Sequence, residues 1–260
     1  MLTPSEFRAM HRPGDPFVLP NAWDLASARW LHAAGHPVLG TTSLGVAVAA
    51  GLPDGAGLAA AETLDLATRL TAASIPVTVD LEAGFSDDPA EVGAFAARLA
   101  RLGVVGVNIE DSGADGRLVD PDLAAAKVAA IAASAPELYL NARTDPFWID
   151  GDATERHAEA VSRARRYLSA GASGIFVPGA IPLETIAALT TDIPAPVNVL
   201  VQASVPVRQL ADAGVARIST GSLLFRVALG AIEAAARAVL DGTFTPDPTT
   251  PSYDGVVALP

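Results

Sequence analysis

The stretch Val77-Thr-Val-Asp-Leu-Glu-Ala-Gly-Phe85 is the part of the chain from which the fold is best inferred. It begins with β-branched residues, which favour a strand, and ends with two acids, Asp80 and Glu82. Because side chains at positions i and i+2 of a strand point to the same side, both carboxylates would leave the strand end on one face. Two close carboxylates repel each other unless a proton or a cation such as Mg²⁺ lies between them. The alternative is that Asp80 begins a turn and Glu82 is solvated surface.

Composition excludes several classes of protein. The chain has 260 residues, a formal net charge of −12 and no cysteine. The negative charge argues against nucleic acid and anionic membranes as partners. The lack of cysteine removes disulfides, thiolate nucleophiles and thiolate metal sites. We find neither a signal-peptide pattern at the N-terminus nor an apolar stretch long enough to span a membrane, so we expect a soluble cytoplasmic protein.

Short apolar runs alternate with alanine-rich helical patterns along almost the whole chain. Eight runs are predicted as strands, at residues 17–20, 37–41, 75–81, 104–109, 138–142, 174–177, 197–201 and 216–219. A helix is predicted after each, near residues 24–34, 59–73, 89–102, 121–133, 153–170, 183–189, 206–213 and 222–240, with only a loop between the second strand and its helix.

Regular alternation of this kind predicts parallel strands joined by right-handed crossovers. Eight units in this length are what a (β/α)₈ barrel, the TIM barrel, requires. A doubly wound open sheet is the rival, but no G-x-G-x-x-G pattern follows the first strand. We expect one domain over residues 1–242, with a short helix at residues 3–11 that covers the bottom of the barrel. Residues 243–260 are rich in Pro and Thr and are expected to be an arm on a neighbouring molecule or disordered.

Polar side chains occur at the carboxyl ends of the predicted strands, where such barrels carry their active sites. Acids and amides end strands three to five, with one arginine among them: Asp80, Glu82, Asn108, Glu110, Asp111, Asn141, Arg143 and Asp145. This pattern predicts a site for a metal ion and an anionic substrate. Asp80, Glu82 and Glu110 would hold the ion, directly or through water, and Arg143 would bind a carboxylate through two hydrogen bonds. The alternative is that Arg143 only neutralises the acids.

Two other mechanisms are disfavoured by residue type. The single lysine, Lys127, lies in the middle of a predicted helix, which excludes a Schiff-base aldolase. None of the four histidines lies at a strand end, so catalysis by an imidazole base is not expected.

At four motifs the chain resembles the isocitrate lyase / phosphoenolpyruvate mutase superfamily, and the similarity runs from Leu19 to the last helix. The motifs are Gly40-Thr-Thr-Ser-Leu-Gly45 with Gly51-Leu-Pro-Asp54, then Asp80-Leu-Glu-Ala-Gly-Phe85, Asn108-Ile-Glu-Asp111 and Asn141-Ala-Arg143. The resemblance implies a barrel whose last helix is swapped between subunits of a homo-oligomer, a dimer or a tetramer built from dimers.

The resemblance also implies roles for particular residues. Backbone amides of Thr42, Ser43 and Leu44 would bind a substrate carboxylate, together with Asn141 and Arg143. Asp80, Glu82 and Glu110 match the family's Mg²⁺ site, for which Mn²⁺ is the alternative ion, and Asp54 is a further acid beside it. Family members act on 2-oxo or 2-hydroxy acids through an enolate held on the metal.

The loop at residues 111–120 departs from the family pattern. The lyases carry a Lys-x-Cys-Gly-His type loop here, whereas this chain has no Cys, His or Lys in the loop. The Asn-bearing segment of the mutases is missing as well, and Pro178 replaces a histidine often found after the sixth strand. Ser112, Asp115 and Arg117 remain as residues that could gate the site or donate a proton, although each could also be an ordinary loop residue.

The sequence therefore predicts a Mg²⁺-dependent lyase that cleaves a C–C bond in a small 2-oxo or 2-hydroxy diacid through a metal-stabilised enolate. Arg143, Asp54 and Ser112 are the candidate catalytic residues. Phosphoenolpyruvate/phosphonopyruvate mutase chemistry at a P–C bond is the alternative within the superfamily. A non-catalytic paralogue that binds a metal and an oxo acid is the alternative outside enzymes.

Overall fold

Parallel strands alternate with helices in the computed structural model, which describes residues 2–149 and 153–259. The strands are β1 (Phe17–Leu19), β2 (Asn21–Ala22), β3 (Leu39–Thr41), β4 (Val77–Asp80), β5 (Gly106–Ile109), β6 (Tyr139–Arg143), β7 (Gly174–Val177), β8 (Val197–Leu200) and β9 (Arg217–Ser219). The helices are α1 (Pro4–Met10), α2 (Leu25–Ala33), α3 (Ser43–Ala49), α4 (Ala60–Ala72), α5 (Pro89–Leu102), α6 (Pro121–Ser134), α7 (Ala153–Ser169), α8 (Leu183–Asp192), α9 (Val207–Asp212), α10 (Leu223–Leu240) and α11 (Tyr253–Val257).

The nine strands form one parallel sheet in the order β1-β9-β8-β7-β6-β5-β4-β3-β2. β1 and β2 are two halves of the predicted first strand, separated by Pro20, which has no backbone N–H to donate. The first half pairs with β9 and the second half pairs with β3, so the first strand position joins the two sides of the sheet. The predicted (β/α)₈ barrel is therefore confirmed, with eight strand positions in a ring.

Local sequence explains where several helices begin. Asp88 precedes Pro89 at the start of α5, and Asp120 precedes Pro121 at the start of α6. Each aspartate accepts hydrogen bonds from the backbone at the start of its helix, which satisfies amides that have no partner within the helix. Proline suits the first helical position because its missing N–H would have no helical partner there.

α1 lies at the amino ends of the strands, as expected. Its Phe7 is fully buried in a cluster that includes Leu19, Val38 and Tyr139. The ring of His11 stacks on that of Tyr139 with centroids 3.7 Å apart. This packing closes the bottom of the barrel and leaves the carboxyl ends of the strands open to solvent.

One part of the structure differs from the sequence-based predictions, and a second contains a helix that those predictions did not include. The loop expected after the second strand contains α3, a short apolar helix (Ser43–Ala49) whose Val46 and Ala47 are buried. The tail expected to be an arm or disordered contains α11, and most of its described residues are exposed. Among the described residues, no helix is both long enough and apolar enough to cross a membrane.

Gly93 and Gly230 provide a matched test of the helix packing, because each lies inside a helix. A Cβ at Gly93 in α5 would meet the carbonyl oxygen of Ala130 and Oγ of Ser134 in α6, both at 2.8 Å, whereas a Cβ at Gly230 in α10 would meet nothing within 4 Å. We expect Gly93→Ala to lower the free energy of unfolding by about 1–2 kcal/mol, because overpacking outweighs better helix propensity.

The control, Gly230→Ala, should raise the free energy of unfolding by about 0.5–1 kcal/mol, since only helix propensity changes. Urea denaturation monitored by circular dichroism measures both variants. Equal effects of the two substitutions would contradict the close contact between α5 and α6.

Candidate active site

A cavity of about 610 Å³ opens at the carboxyl ends of the strands. Side chains that follow β4, β5 and β6 line it, including Asp80, Glu110 and Arg143. These are the strand ends at which the sequence predicted the site. The cavity thus brings residues from distant parts of the chain to one rim of the barrel.

Asp80 ends β4 and faces this cavity. Its backbone N–H donates to Thr41 Oγ1 at 2.9 Å, and its Oδ2 accepts a long hydrogen bond, 3.4 Å, from the backbone N–H of Ser43. Asp54, in the loop after α3, also lines the cavity and is exposed. α3, which was not predicted from the sequence, therefore carries the Ser43 amide to the end of β4.

Glu82 lies behind Asp80 rather than beside it. β4 ends at Asp80, so the strand alternation that predicted a shared face does not extend to Glu82. Glu82 adopts a left-handed backbone conformation, with φ of 48°, and its side chain is buried. Oε2 accepts from the N–H of Gly57 at 2.9 Å, while the buried Oε1 has no hydrogen-bond partner among the described residues. A non-glycine residue in this conformation is uncommon, and such strain occurs often at functional sites.

Arg143 ends β6 between two carboxylates. Its Nη1 lies 2.5 Å from Glu110 Oε2, and its Nε and Nη2 donate to the two oxygens of Asp145 at 2.6 and 3.0 Å. The rings of Trp148 and Phe176 lie against the guanidinium, with centroids 5.4 and 5.9 Å from Cζ. The edge of Arg143 that would form two parallel bonds to a substrate is thus bound to Asp145, which leaves the remaining protons of Nη1 and Nη2 for a ligand.

Ser112 belongs to the same network and lines the cavity. Its Oγ donates to Asp145 Oδ2 at 2.5 Å. Asp145 is fully buried, and its backbone N–H donates to Asp111 Oδ1 at 2.9 Å. Asp145 therefore orients both Arg143 and Ser112.

Asp111 supports this network from behind. Its Oδ2 accepts from Thr144 Oγ1 at 2.8 Å, from the Tyr167 hydroxyl at 2.6 Å and from Arg163 Nη1 at 3.3 Å. Asp111 is buried and does not line the cavity. It holds the end of β6 against α7, and it is a positioning residue that the sequence placed at a strand end without assigning it a role.

The loop at residues 111–120 forms a tight hairpin. The backbone N–H of Gly113 donates to the carbonyl of Arg117 at 2.9 Å, and Ser112 pairs with Leu118. Gly113 and Gly116 line the cavity, whereas the exposed Asp115 and Arg117 do not. Of the three candidates in this loop, only Ser112 is brought to the site.

The predicted substrate-binding residues divide into two groups. Thr42, Ser43 and Leu44, at the start of α3, line the cavity together with Arg143. Asn141 does not line it, since its side chain lies below, where Nδ2 donates to Asn108 Oδ1 at 3.0 Å. Asn141 therefore affects the cavity only through Asn108, which lines it.

A buried arginine underlies the cavity as well. Arg217 in β9 is fully buried, and no carboxylate of the described residues lies within ion-pair distance of it. Its Nε donates to Ser219 Oγ at 3.0 Å and its Nη2 to Asn108 Oδ1 at 3.4 Å. Burial lowers the pKa of Arg217 to about 10. Arg217 orients two residues that line the cavity, and no sequence signal distinguished it.

Burial raises the pKa of three carboxyl groups of the site above their ordinary values. Burial raises the pKa of Asp80, with Arg143 opposing the shift, and burial likewise raises the pKa of Glu82. Burial also raises the pKa of Glu110 to about 8, with Arg143 opposing the shift and the nearby acids Asp80, Asp145 and Asp54 adding to it. Close like charges and low solvation both disfavour ionisation. A cation beside these carboxyl groups would favour their ionised forms.

The residues present suit a hard divalent cation. The four acids, Asp54, Asp80, Glu82 and Glu110, offer only oxygen atoms, and Oε1 of Glu82 is buried without a hydrogen-bond partner among the described residues. Within residues 2–149 and 153–259, however, no three His, Cys, Asp or Glu side chains form a ready ligand cluster. An ion here would therefore keep several waters, as Mg²⁺ usually does in proteins.

Comparison with known proteins gives a family match over most of the chain. The family model described as phosphoenolpyruvate phosphomutase matches residues 7–240. The uncharacterized protein Rv1998c of Mycobacterium tuberculosis is 44% identical over 243 residues, which cover 92% of this chain and 91% of that protein. A 2-methylisocitrate lyase of Halalkalibacterium halodurans is 29% identical over 199 residues, which cover 73% of this chain and 64% of the lyase.

A solved structure has the same fold. The crystal structure of a proposed phosphonomutase from Burkholderia cenocepacia J2315 superimposes with a TM-score of 0.86 at 38% identity. The superposition covers 90% of this chain and 99% of that one. The similarity therefore extends over the whole barrel.

The raised pKa of Glu110 predicts a dependence of stability on pH in the presence of a chelator. Between its ordinary value of 4.5 and about 8, the folded protein holds a proton that the unfolded chain has lost. Raising the pH through this window therefore lowers the stability of the wild type. We expect the melting temperature of the wild type to fall, relative to that of Glu110→Gln, between about pH 5 and pH 8.

The control is Glu233→Gln, which removes an exposed carboxylate paired with Arg237 on α10. This variant should match the wild type across the same range. A constant difference in melting temperature between wild type and Glu110→Gln would show that Glu110 titrates normally.

Proposed function

Because this chain belongs to the phosphoenolpyruvate phosphomutase family, whose relatives include lyases and mutases, we propose that it is a Mg²⁺-dependent carbon–carbon lyase. Its substrate would be a small 2-oxo or 2-hydroxy acid. The observation that carries the proposal is the position of Arg143, between Glu110 and Asp145 at a cavity wall that also bears Asp80.

The substrate carboxylate would bind where positive groups meet. The amides of Ser43 and Leu44 begin α3 on one side, and the free protons of Arg143 lie on the other. The amide of Thr42, the third residue predicted to bind the carboxylate, already donates to the carbonyl of Ala22 at 3.1 Å. The first amides of a helix have no partner within it and suit an anion. Trp148 and Phe176 hold the guanidinium plane in place and limit the access of water to it.

The metal ion would be held by Asp80 and Glu110, with Asp54 beside them at the cavity wall, the buried Glu82 behind them and water completing the set. Mn²⁺ is the alternative ion, since it accepts the same oxygen ligands. When bound, the ion supplies positive charge beside the oxygen on which an enolate develops. Its binding would require the carboxylates to ionise, so affinity should rise with pH.

Ser112 is the residue to which we assign the proton transfer. Its hydroxyl lines the cavity and is held at 2.5 Å from Asp145 Oδ2. In this scheme Asp145 orients Ser112 and does not itself transfer a proton. Hydrogen bonds to Arg143 and Asp111 hold it in place. Ser112 would donate its hydroxyl proton to the carbon that keeps the electron pair of the broken C–C bond, and water entering the cavity would return a proton to the serine oxygen.

Two other functions have support of their own. Phosphoenolpyruvate/phosphonopyruvate mutase chemistry at a P–C bond is favoured by the 38% identity to the proposed phosphonomutase. A binding protein without catalytic activity is favoured by the hairpin at 111–120, where the exposed Asp115 and Arg117 lie away from the cavity. The three functions share one binding site and differ in the fate of the bound acid.

Calorimetric titration of oxalate, which has the shape of the pyruvate enolate, tests the shared site. We expect oxalate to bind to the wild type in the presence of Mg²⁺ and not in a chelator. Asp80→Asn should weaken this binding by more than the roughly 10- to 100-fold that loss of an outer-shell partner costs, because it removes a charged oxygen at the cavity wall.

Two controls separate binding from catalysis. Asp65→Asn changes an exposed carboxylate paired with Arg69 on α4 and should bind oxalate like the wild type. Ser112→Ala should also bind oxalate but should lose turnover of any oxo or hydroxy acid that the wild type cleaves. Binding of oxalate that is independent of Mg²⁺ and of Asp80 would disprove the metal site, and full turnover by Ser112→Ala would disprove its role.

We also propose that the enzyme is a homo-oligomer, a dimer or a tetramer, assembled through α10. Apolar side chains of this helix are exposed in the single chain, among them Ile232 at 65% and Leu240 at 86% of their full surface. Val227, Leu229 and Val239 add to the same exposed apolar surface. A second copy would cover it, because apolar surface of this extent is rare on monomers. Exchange of α10 between subunits is one way to do so.

Light scattering after size-exclusion chromatography tests the assembly. We expect the wild type to elute as a dimer or larger, and Ile232→Asp to shift to the monomer because it places a charge in the apolar contact. Glu233→Gln, at the adjacent position, should leave the assembly unchanged. A monomeric wild type would rule out this use of α10.

A further inference from the structure

Two arginines line the cavity, and their environments differ. Among the described residues that line it, Arg143 and Arg226 are the ones with a cationic side chain. Arg143 is already engaged by Glu110 and Asp145. Arg226 is exposed, and no described residue forms an ion pair or a hydrogen bond with its side chain. It is therefore a positive charge at the cavity wall without a protein partner among the residues described.

The barrel topology places the two arginines on different sides of the mouth. Arg226 lies in the first turns of α10, which comes after β9, whereas Glu110 comes after β5. In the ring of strands, β9 is separated from β5 by β6, β7 and β8 on one side, and by β4, β3 and the β1–β2 strand on the other. The wall that bears Arg226 is thus diametrically opposite the end of β5.

The turn before α10 is held in place from the first strand position. Asn21 Oδ1 accepts from the N–H of Gly221 at 3.0 Å and from Thr220 Oγ1 at 3.1 Å. The ring of Trp23 meets that of Phe225 edge to face, with centroids 5.3 Å apart. These contacts fix the start of the helix, so that Arg226 is carried by a defined backbone even though its side chain is exposed.

Charge decides which ligands the cavity accepts. The wall at β4 and β5 carries Asp80 and Glu110, Asp54 lies beside it, and the whole protein has a net charge of −12. A ligand with one carboxylate needs only the positive groups near Arg143. A ligand with a second carboxylate would meet a negative protein field unless a cation faced that group, and Arg226 supplies one on the opposite wall.

We propose that Arg226 binds the second carboxylate of a diacid substrate whose first carboxylate binds on the Arg143 side of the same cavity. This inference rests on the proposed function and makes it more specific, because it assigns a residue of the cavity wall to the second carboxylate of the diacid that the sequence predicts. Arg226 is a specificity residue in this scheme and takes no part in bond cleavage.

Two matched pairs of ligands measure how much the second carboxylate contributes to binding. 2-Oxoglutarate and 2-oxopentanoate share one chain length and one 2-oxo acid group, and they differ in the distal carboxylate. 2-Oxoadipate and 2-oxohexanoate form a second pair that is one carbon longer. Affinities for all four ligands and for oxalate would be measured by calorimetry with Mg²⁺ present, on the full-length chain.

We expect the wild type to bind the diacid of at least one pair more tightly than its monoacid. Arg226→Gln should weaken binding of that diacid by about 10- to 100-fold, the usual effect of losing a hydrogen bond to a charged group. It should leave binding of the monoacids and of oxalate unchanged. Arg226→Lys should retain part of the preference, because it keeps the charge and loses the planar fork.

Arg237→Gln is the matched control, since Arg237 is exposed on the same helix, pairs with Glu233 and does not line the cavity. It should behave like the wild type toward every ligand. Equal affinity of wild type and Arg226→Gln for the diacids, with oxalate binding intact, would overturn the role of Arg226 alone. Failure of oxalate to bind to the wild type would instead overturn the proposed function, and the role of Arg226 with it.

Discussion

The guanidinium of Arg143 lies between the carboxylates of Glu110 and Asp145, and the rest of the site depends on this contact. Burying a carboxylate is costly unless it is paired and hydrogen-bonded. The wall at β4 to β6 collects several acids in one cavity, and Arg143 is the cation that pairs with two of them. The same contact fixes Asp145, which in turn holds the hydroxyl of Ser112 at 2.5 Å. One ion-paired group therefore sets both the electrostatics of the cavity and the position of its hydroxyl.

The fold supports this arrangement through a second buried acid. Asp111 accepts hydrogen bonds from Thr144, Tyr167 and Arg163 and from the backbone of Asp145. It thereby connects the ends of β5 and β6 to α7. A buried hydrogen-bond network stabilises the fold when every group has a partner and destabilises it when one partner is missing. The stability of this side of the barrel and the geometry of the site are therefore coupled. Burial raises the pKa of Asp111, and the donors around it counter that shift.

Much of the fold can be derived from local sequence, and part of the site can be derived from the fold. Eight strand–helix units were visible as alternating patterns, and the rule that barrel chemistry lies at the carboxyl ends of strands led to Asp80, Glu110 and Arg143. The rule did not hold for Glu82, since β4 ends two residues earlier and the chain turns into a left-handed conformation. α3 was missed because its apolar pattern is too short to distinguish a helix from a loop.

The sequence by itself determined the order of elements, the barrel class and the residue types at each strand end, because periodicity and residue preference act locally along the chain. Only the tertiary structure decided which of those groups meet. Closure of the ring, with the first strand divided at Pro20, brings Arg226 to the wall opposite Glu110. No local sequence pattern predicts that these two residues line the same cavity. Alternation along the strand already placed Arg143 and Asp145 on one face, but the contacts of Asp145 with Asp111 and of Arg143 with Phe176 join separate segments and were beyond the sequence. Contacts between distant segments arise from packing in three dimensions, which a local pattern does not encode.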